Sequence, residues 1–204
     1  SKREVFAKVP MQGAALIHSM GLTPQHLVLM ECPYRLGFMK PHNPKKGGLA
    51  DYASFIAGEP VIAHVVDRAT GAVTSIKESV APGQSEGWYN GHTINTFFDP
   101  SDKTNRTIVH DVIAYPQFDL FSEFYLDVLS QGASATRDIH LGRLRRCTIK
   151  LESNSFSCVD QANAALLDKG IGIELPTMNK RAFAWGRLAA HDFTPFCIAH
   201  PSDT

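Results

Sequence analysis

The sequence predicts an all-β protein built from antiparallel hairpins. Short runs rich in apolar and β-branched residues are separated by turn residues, and no run shows the strand–helix–strand alternation of a parallel sheet. A clear hairpin signal, Arg68-Ala69-Thr70-Gly71, joins the runs 60–67 and 72–80, with glycine where a positive φ is expected. A propeller, a sandwich and an open barrel all fit this pattern.

The individual elements follow from these runs and from the polar turns between them. The predicted strands are, in chain order, 14–18, 26–30, 60–67, 72–80, 93–98, 107–115, 144–151 and 182–188. An amphipathic pattern predicts a helix over 119–129, and a weaker one predicts a helix over 161–168. No segment has the composition of a linker, so we expect residues 1–204 to form a single unit.

Composition excludes several classes of protein. The chain has 204 residues, 44% of them hydrophobic, with 20 Lys+Arg balanced by 20 Asp+Glu. This composition is too apolar for a disordered chain, and the balanced charge gives no reason to expect a nucleic-acid partner. No apolar run approaches the roughly 18–20 residues of a membrane span. The four cysteines form no C-x-x-C pair, so we expect reduced thiols in an intracellular protein of the cytoplasm or a plastid.

Nine histidines make metal binding worth considering. None has the spacing of a helical or structural zinc motif, so a site would have to be assembled from distant strands. His18 and His92 stand out at strand ends, although a histidine there is more often an ordinary polar residue than a ligand. His64 and His110 lie in apolar runs and are expected to pack in the core or at a sheet edge. The remaining histidines are expected in loops or on the surface: His26, His42, His140, His191 and His200.

A serine-hydrolase site is a remote alternative. Residues 83–87 match G-x-S-x-G around Ser85, the pattern that places a nucleophile between a strand and a helix in α/β-hydrolases. Pro82 directly precedes this segment, the residues after it do not begin a helix, and the predicted fold is all-β. The pattern is therefore a weak indication of a nucleophile.

Seven segments together resemble the carotenoid cleavage oxygenase family, from about residue 12 to residue 190. They are, in chain order, 18–23 (HSMGLT), 28–33 (VLMECP), 65–71 (VVDRATG), 92–96 (HTINT), 111–115 (DVIAY), 144–146 (LRR) and 174–179 (ELPTMN). The family includes apocarotenoid-, carotenoid- and stilbene-cleaving dioxygenases and the retinoid isomerase of the eye. The order of the histidine-containing segments, followed by Glu174-Leu175-Pro176, is the most specific part of the likeness.

The resemblance implies a seven-bladed β-propeller with a non-haem Fe(II) ion (Fe2+) held on its axis by four histidines. His18 and His92 match two of these ligands, and Glu174 matches a carboxylate that holds a ligand histidine by its other ring nitrogen. Such a partner fixes the tautomer and the ring orientation. The implied reaction is cleavage of a conjugated C=C bond of a lipophilic polyene or stilbene by O2, without an organic cofactor.

Two departures from the family pattern stand out. Relatives usually carry an aromatic residue directly before the second histidine, where this chain has Gly91, and they usually carry an acidic residue near the position of Phe98. The other two ligands of relatives lie outside the matched segments. On this interpretation the chain is a central portion of the propeller, about three blades with short helical insertions, and inactive by itself.

A membrane surface is a further expectation from the resemblance, because relatives take up lipophilic substrates through an apolar patch. Leu36, Phe38 and Met39 would contribute to that patch, with Lys40 nearby, and apolar residues beside lysines suit an interfacial surface. A loop packed on the propeller explains the same residues equally well. Two non-oxygenase alternatives also stay open: a non-catalytic propeller that binds a lipophile or a partner, and a β-rich structural domain without an active site.

Overall fold

The computed structural model describes most of the chain up to residue 161 and two later strands. The described residues are 3–37, 53–80, 87–116, 130 and 142–161, together with the backbone of 172–177 and 196–200. The strands are β1 (Gly21–Leu22), β2 (His26–Glu31), β3 (Tyr34–Leu36), β4 (Ala53–Phe55), β5 (Ile62–Asp67), β6 (Val73–Lys77), β7 (Tyr89–Phe98), β8 (Thr107–Tyr115), β9 (Arg143–Lys150), β10 (Ser155–Asp160), β11 (Gly172–Thr177) and β12 (Phe196–His200). No helix occurs in this described part, so the predicted all-β class is confirmed there.

The first sheet contains four antiparallel strands in the order β1-β2-β5-β6. The predicted hairpin between β5 and β6 is present, and Gly71 has a φ of 74°. Asp67 closes this turn, because its Oδ1 accepts hydrogen bonds from the amides of Ala69 and Thr70 at 2.9 and 2.8 Å. An aspartate that accepts backbone hydrogen bonds is typical of such turns, and these bonds lower the pKa of Asp67.

The second sheet is a meander of β7, β8, β9 and β10, each paired antiparallel with the next. The predicted strand 107–115 coincides with β8, and 144–151 agrees with β9 within one residue. β8 lies between β7 and β9, and all its residues after Thr107 are buried. A strand buried on both faces reads as a nearly continuous apolar run, which is the pattern of this segment.

The two sheets lie side by side with corresponding strands together. β1 is next to β7 at one end, and β6 is next to β10 at the other. A parallel bridge joins Glu78 to Phe156, and the amide of Ser79 donates a 2.7 Å hydrogen bond to the Phe156 carbonyl. Apolar side chains of both sheets share one buried cluster, whose members include Val28, Val61, Ile76, Trp88, Ile108, Val112, Ile149 and Phe156. Burial of this cluster is the main favourable contribution to the stability of the pair.

The predicted strand 14–18 is wrong in its extent. Only Ala15 forms a bridge, with Arg35, while the Leu16 amide donates to the Tyr34 carbonyl at 3.0 Å. The segment therefore lies next to β3. The turn at Gly21–Pro24 had suggested that it would pair with β2, and it does not. β1 occupies that position instead, and its two residues pair with β2.

The expectation of reduced thiols is wrong for two of the four cysteines. Cys147 on β9 and Cys158 on β10 are directly opposite in the register and form a disulfide. Their separation of 11 residues places them across one hairpin. Cys32 is a free, buried thiol, and burial raises its pKa to about 12. The disulfide removes the argument that cysteine usage made for an intracellular location, because disulfides persist mainly in oxidising environments.

Several predictions fall on residues outside the described ranges. These are the helices 119–129 and 161–168, apart from the non-helical Gln161, and the strand 182–188. His26 and His200 were expected in loops or on the surface. His26 is the first residue of β2, as the predicted strand 26–30 has it, and His200 is the last residue of β12. The described sheets are not closed into a ring, and the number of propeller blades stays a prediction.

Candidate metal centre

The structure brings His18 and His92 together. His18 lies just before β1, and His92 lies on β7 near the start of the second sheet. Their ring centroids are 5.1 Å apart, with an interplanar angle of 73°. His18 is exposed and His92 is half-buried, so the pair lies at the protein surface of the described region. Two imidazoles that are distant in sequence thus form one local cluster.

The residue after each histidine links the two chain segments. The Thr93 amide donates a 2.8 Å hydrogen bond to Ser19 Oγ, and Ser19 Oγ donates a 3.1 Å bond to Thr93 Oγ1. Gly21 allows β1 to approach the second sheet closely, because a Cβ atom there would collide with Thr96 Oγ1 and lie 2.8 Å from His110. The absence of a side chain at this position is therefore required for the contact.

Strand β7 is irregular around His92. The register with β8 shifts between Asn90 and His92 and again between Thr93 and Asn95, so Gly91 and Ile94 are extra residues on the β7 side. β-Bulges change the direction of nearby side chains and occur often next to functional sites. A glycine inside a strand is a sequence signal for a bulge, and Gly91 directly before His92 carries that signal.

A fully buried imidazole lies behind this surface. His110 on β8 pairs with Thr96 on β7, and its Nδ1 is 2.7 Å from Thr96 Oγ1. No hydrogen-bond partner within the described part of the chain reaches its Nε2. Burial lowers the pKa of His110 to about 3, so the ring is neutral at physiological pH. The expectation that His110 packs in the core is confirmed.

His64 is also a core residue, as predicted, and its partner is a carboxylate that sequence reasoning missed. Glu31 Oε2 lies 2.9 Å from His64 Nε2, and both side chains are almost completely buried. Ser75 Oγ is 2.8 Å from His64 Nδ1, and the Gln12 amide donates to Glu31 Oε1 at 2.8 Å. Glu31 ends a buried strand, and a carboxylate in such a run requires a partner of this kind.

The His18–His92 pair has the spacing of two ligands of one metal ion. A first-row divalent metal about 2.1 Å from each ring nitrogen lies about 3.2 Å from each ring centre, so two neighbouring ligands have centres about 4.5–5.3 Å apart. The observed 5.1 Å falls in this range, and imidazole is a suitable donor for iron. Within the described residues, no group of three or more His, Cys, Asp or Glu side chains could hold a metal ion.

The other predicted site residues are only partly described. Glu174 lies in β11 opposite Ile198 of β12, and β11 lies next to β7, which carries His92. Leu36 ends β3 and is half-buried. Phe38, Met39 and Ser85 lie outside the described residues. Within the described part of the chain, there is no helix long and apolar enough to cross a bilayer.

Comparison with known proteins identifies relatives of this chain. The family model for retinal pigment epithelial membrane protein (RPE65) matches residues 1–187. Human beta,beta-carotene 15,15'-dioxygenase is 26% identical over 154 residues, which cover 72% of this chain and 26% of the human protein. The chain therefore spans about a quarter of that curated relative.

Solved structures of low sequence identity share the fold. A single-site mutant of Synechocystis apocarotenoid oxygenase has a TM-score of 0.57 at 16% identity, over 82% of this chain and 30% of the oxygenase. A cobalt-substituted form of the Synechocystis enzyme gives a TM-score of 0.57 at 17% identity over the same shares of the two chains. A chimera of the apocarotenoid oxygenase with RPE65 gives 0.57 at 17% identity, over 83% of this chain and 30% of the chimera.

The family match includes both histidine segments and all of the first and second sheets. The fold of the described strands agrees with that of the apocarotenoid oxygenase over most of the chain. The chain belongs to the retinal pigment epithelial membrane protein family of carotenoid cleavage oxygenases.

Proposed function

We propose that His18 and His92 are two ligands of a non-haem Fe(II) centre in an oxygenase that cleaves a conjugated C=C bond of a carotenoid, apocarotenoid or related polyene or stilbene. The contact between the two imidazole rings carries this proposal. The rings belong to segments far apart in the sequence, and they lie as close as two ligands of one ion require.

The arrangement of the sheets supports the proposal. His18 lies just before β1 and His92 lies on β7, two strands that are adjacent at one end of the sheets. In a propeller, the corresponding strands of neighbouring blades line the central channel. We infer that the first and second sheets are adjacent blades, so that both histidines face that channel. Glu174 is proposed to support one of these histidines, since β11 lies next to β7.

The residues beside His18 suit a lipophilic substrate. Met20 and Leu22 are large apolar side chains that are 59% and 56% exposed. They flank Gly21, where the lack of a side chain lets β1 approach the second sheet closely. An apolar surface next to the histidine pair would bind a polyene chain by excluding water from it. Both side chains would orient the substrate and take no part in electron transfer.

Iron, when bound, would supply the redox chemistry through which O2 is divided between the two carbonyl products of an alkene cleavage. Neutral imidazole ligands add no negative charge to the ion, so its positive charge is kept. The part of this chain is to hold the ion through two imidazoles, to keep them at a fixed separation, and to present an apolar surface beside them.

Metal titration of single variants tests the proposal. Co2+ added to the wild-type chain should broaden or shift the ring resonances of His18 and His92 in NMR spectra, and His18→Ala or His92→Ala should weaken that binding at least tenfold. His26→Ala is the matched control, because His26 contacts Phe98 and not the histidine pair. Equal binding by all four proteins would contradict the proposal. No binding by any of them would favour the non-catalytic, lipophile-binding alternative.

Peripheral membrane contact is a separate proposal. Leu36, Phe38 and Met39 would insert at the interface beside Lys40. Flotation with anionic liposomes should recover the wild-type chain, and Phe38→Asp should lower the recovered fraction. A chain with Val159→Asp, which removes an exposed apolar residue on β10, is the control. Unchanged flotation of Phe38→Asp would dispose of the membrane role.

A further inference from the structure

Two hydroxyl side chains make the direct link between the histidine segments. Ser19 Oγ accepts a 2.8 Å hydrogen bond from the Thr93 amide and donates a 3.1 Å bond to Thr93 Oγ1. Ser19 is half-buried, as is Thr93. Ser19 follows His18 and Thr93 follows His92, so each bond acts one residue away from a ring of the pair.

The His18 segment depends on this link more than β7 does. Residues 16–20 belong to no strand, and β1 begins only at Gly21. β7, by contrast, is paired with β8 from Tyr89 to Phe98. The backbone of His92 is therefore held by the second sheet, while that of His18 lies in an irregular stretch that Ser19 ties to β7.

We propose that Ser19 and Thr93 form a positioning pair that keeps the His18 ring against the His92 ring. The proposal rests on the proposed function, because the value of a fixed ring separation is that one metal ion can bind both imidazoles. Ser19 Oγ already accepts one hydrogen bond and donates another, so it acts as a positioning group and is not itself a ligand.

The expected size of the effect follows from the behaviour of groups that orient metal ligands. Removing such a group typically costs 10- to 100-fold in metal affinity, because the ligand must then be ordered when the metal binds. Ser19→Ala removes both hydrogen bonds. Thr93→Val removes only the hydroxyl bond, since the backbone amide still donates, and it keeps the shape of the side chain. We therefore expect the larger effect for Ser19→Ala.

A metal-free measurement tests the positioning directly. In the wild-type chain, the ring protons of His18 and His92 should show a nuclear Overhauser effect, because the ring centroids are 5.1 Å apart. The ring contact of His26 with Phe98, at 5.8 Å, provides an internal reference in the same spectrum. Ser19→Ala should abolish the first effect and keep the second. Thr93→Val should weaken the first, and Thr93→Ser, which keeps the hydroxyl, should restore it.

Cobalt affinity provides the second readout. Ser19→Ala should weaken Co2+ binding roughly tenfold, and Thr93→Ser should bind like the wild type. Ser153→Ala is the matched control, because it breaks another hydroxyl pair, Ser153–Ser155 at 2.8 Å, in the β9–β10 turn. Should Ser19→Ala fail to fold, Thr93→Val and Thr93→Ser carry the comparison.

The outcomes separate this proposal from the proposed function. If Ser19→Ala and Thr93→Val keep the wild-type ring contact, the positioning pair is overturned whatever the metal does. If the ring contact is lost in Ser19→Ala while the wild-type chain binds no Co2+, the positioning pair is supported and the metal centre is contradicted.

Discussion

The imidazole ring of His110 is an ionisable group that is fully buried in the core of the second sheet. Thr96 Oγ1 satisfies its Nδ1, and burial alone lowers its pKa from 6.5 to about 3. The unfolded chain takes up this proton near pH 6.5, so between pH 6.5 and 3 the unfolded state holds more protons than the folded state. The free energy of unfolding therefore falls as the pH is lowered through this window.

Because of His110, we expect the free energy of unfolding to be about 2 kcal/mol lower at pH 5 than at pH 7. Urea unfolding of wild type and His110→Gln at several pH values measures this contribution, because glutamine can still bind Thr96 but does not titrate. The variant should show the shallower pH dependence. His26→Gln is the control and should remove a smaller part of the slope, since His26 is only half-buried. Equal slopes for wild type and His110→Gln would contradict the prediction.

Glu31 is a second buried ionisable group, and the free-energy cost of burying its carboxylate depends on the groups that it contacts. Its two oxygens contact His64 Nε2 at 2.9 Å, the Gln12 amide at 2.8 Å and Arg35 Nη2 at 3.3 Å. Arg35 also contacts Glu59 at 2.9 Å, and Glu59 is 35% exposed. One arginine thus pairs with a buried and a more exposed carboxylate, which provides an internal comparison.

Glu31→Gln should lower the free energy of unfolding by about 3 kcal/mol, because it removes the carboxylate charge that the buried partners of Glu31 contact. Glu59→Gln should cost less than about 1 kcal/mol, as is usual for an exposed pair. Chemical denaturation at pH 7 measures both. Losses of equal size in the two variants would show that burial does not govern this network.

The hairpin of β9 and β10 is held by a disulfide and by charged pairs. Cys147 and Cys158 pair across it, and Arg145 Nε contacts Asp160 Oδ1 at 2.6 Å. On the other side of β9, Arg146 binds Asp111 of β8 through two bonds of 2.7 and 2.8 Å. The disulfide thus joins a strand already bound to its neighbours by charged pairs.

Reducing the disulfide should lower the free energy of unfolding by about 3 kcal/mol, the chain-entropy value for a loop of this length. Denaturation of wild type with and without dithiothreitol measures the loss. The double variant Cys147→Ala/Cys158→Ala should be as unstable as the reduced wild type, both with and without the reductant. A wild-type chain that is indifferent to dithiothreitol would contradict the role of this bond.

The predictability of each element depended on whether its signal was local. β8 and the turn at Gly71 were predicted because a long apolar run and a glycine turn are visible in a few residues. The segment 14–18 was placed wrongly because its neighbour is β3, some twenty residues away, and no local pattern identifies that neighbour. The disulfide was missed for the same reason, since Cys147 and Cys158 meet only through the register of β9 and β10.

The candidate site shows the same division. Residue chemistry alone left His18 and His92 as ordinary strand-end histidines, and only the resemblance to a family paired them. The bulge at Gly91 had a local signal, a glycine in a strand. The link between Ser19 and Thr93 had none, because two hydroxyl residues in separate segments carry no pattern until the chain is folded.

At the scale of the whole molecule, the first and second sheets meet with β1 beside β7 and β6 beside β10. Two sheets in this arrangement share a core and bring one edge of each to the same place, where the histidine pair lies. The chain spans 30% of the apocarotenoid oxygenase whose fold it shares. The resemblance of the histidine segments implies four imidazole ligands in the complete family fold, of which His18 and His92 would be two.

This chain by itself should therefore bind Fe(II) weakly and cleave no polyene, because the two imidazoles that the described residues bring together leave most of the coordination positions to water. Incubation with Fe(II), O2 and an apocarotenal, followed by chromatography of the products, tests the prediction, with the Synechocystis oxygenase as positive control. The double variant His18→Ala/His92→Ala provides the background rate, and the wild-type chain should not exceed it. Cleavage by the wild-type chain that the double variant lacks would show that these two histidines, with the residues around them, already form a sufficient centre.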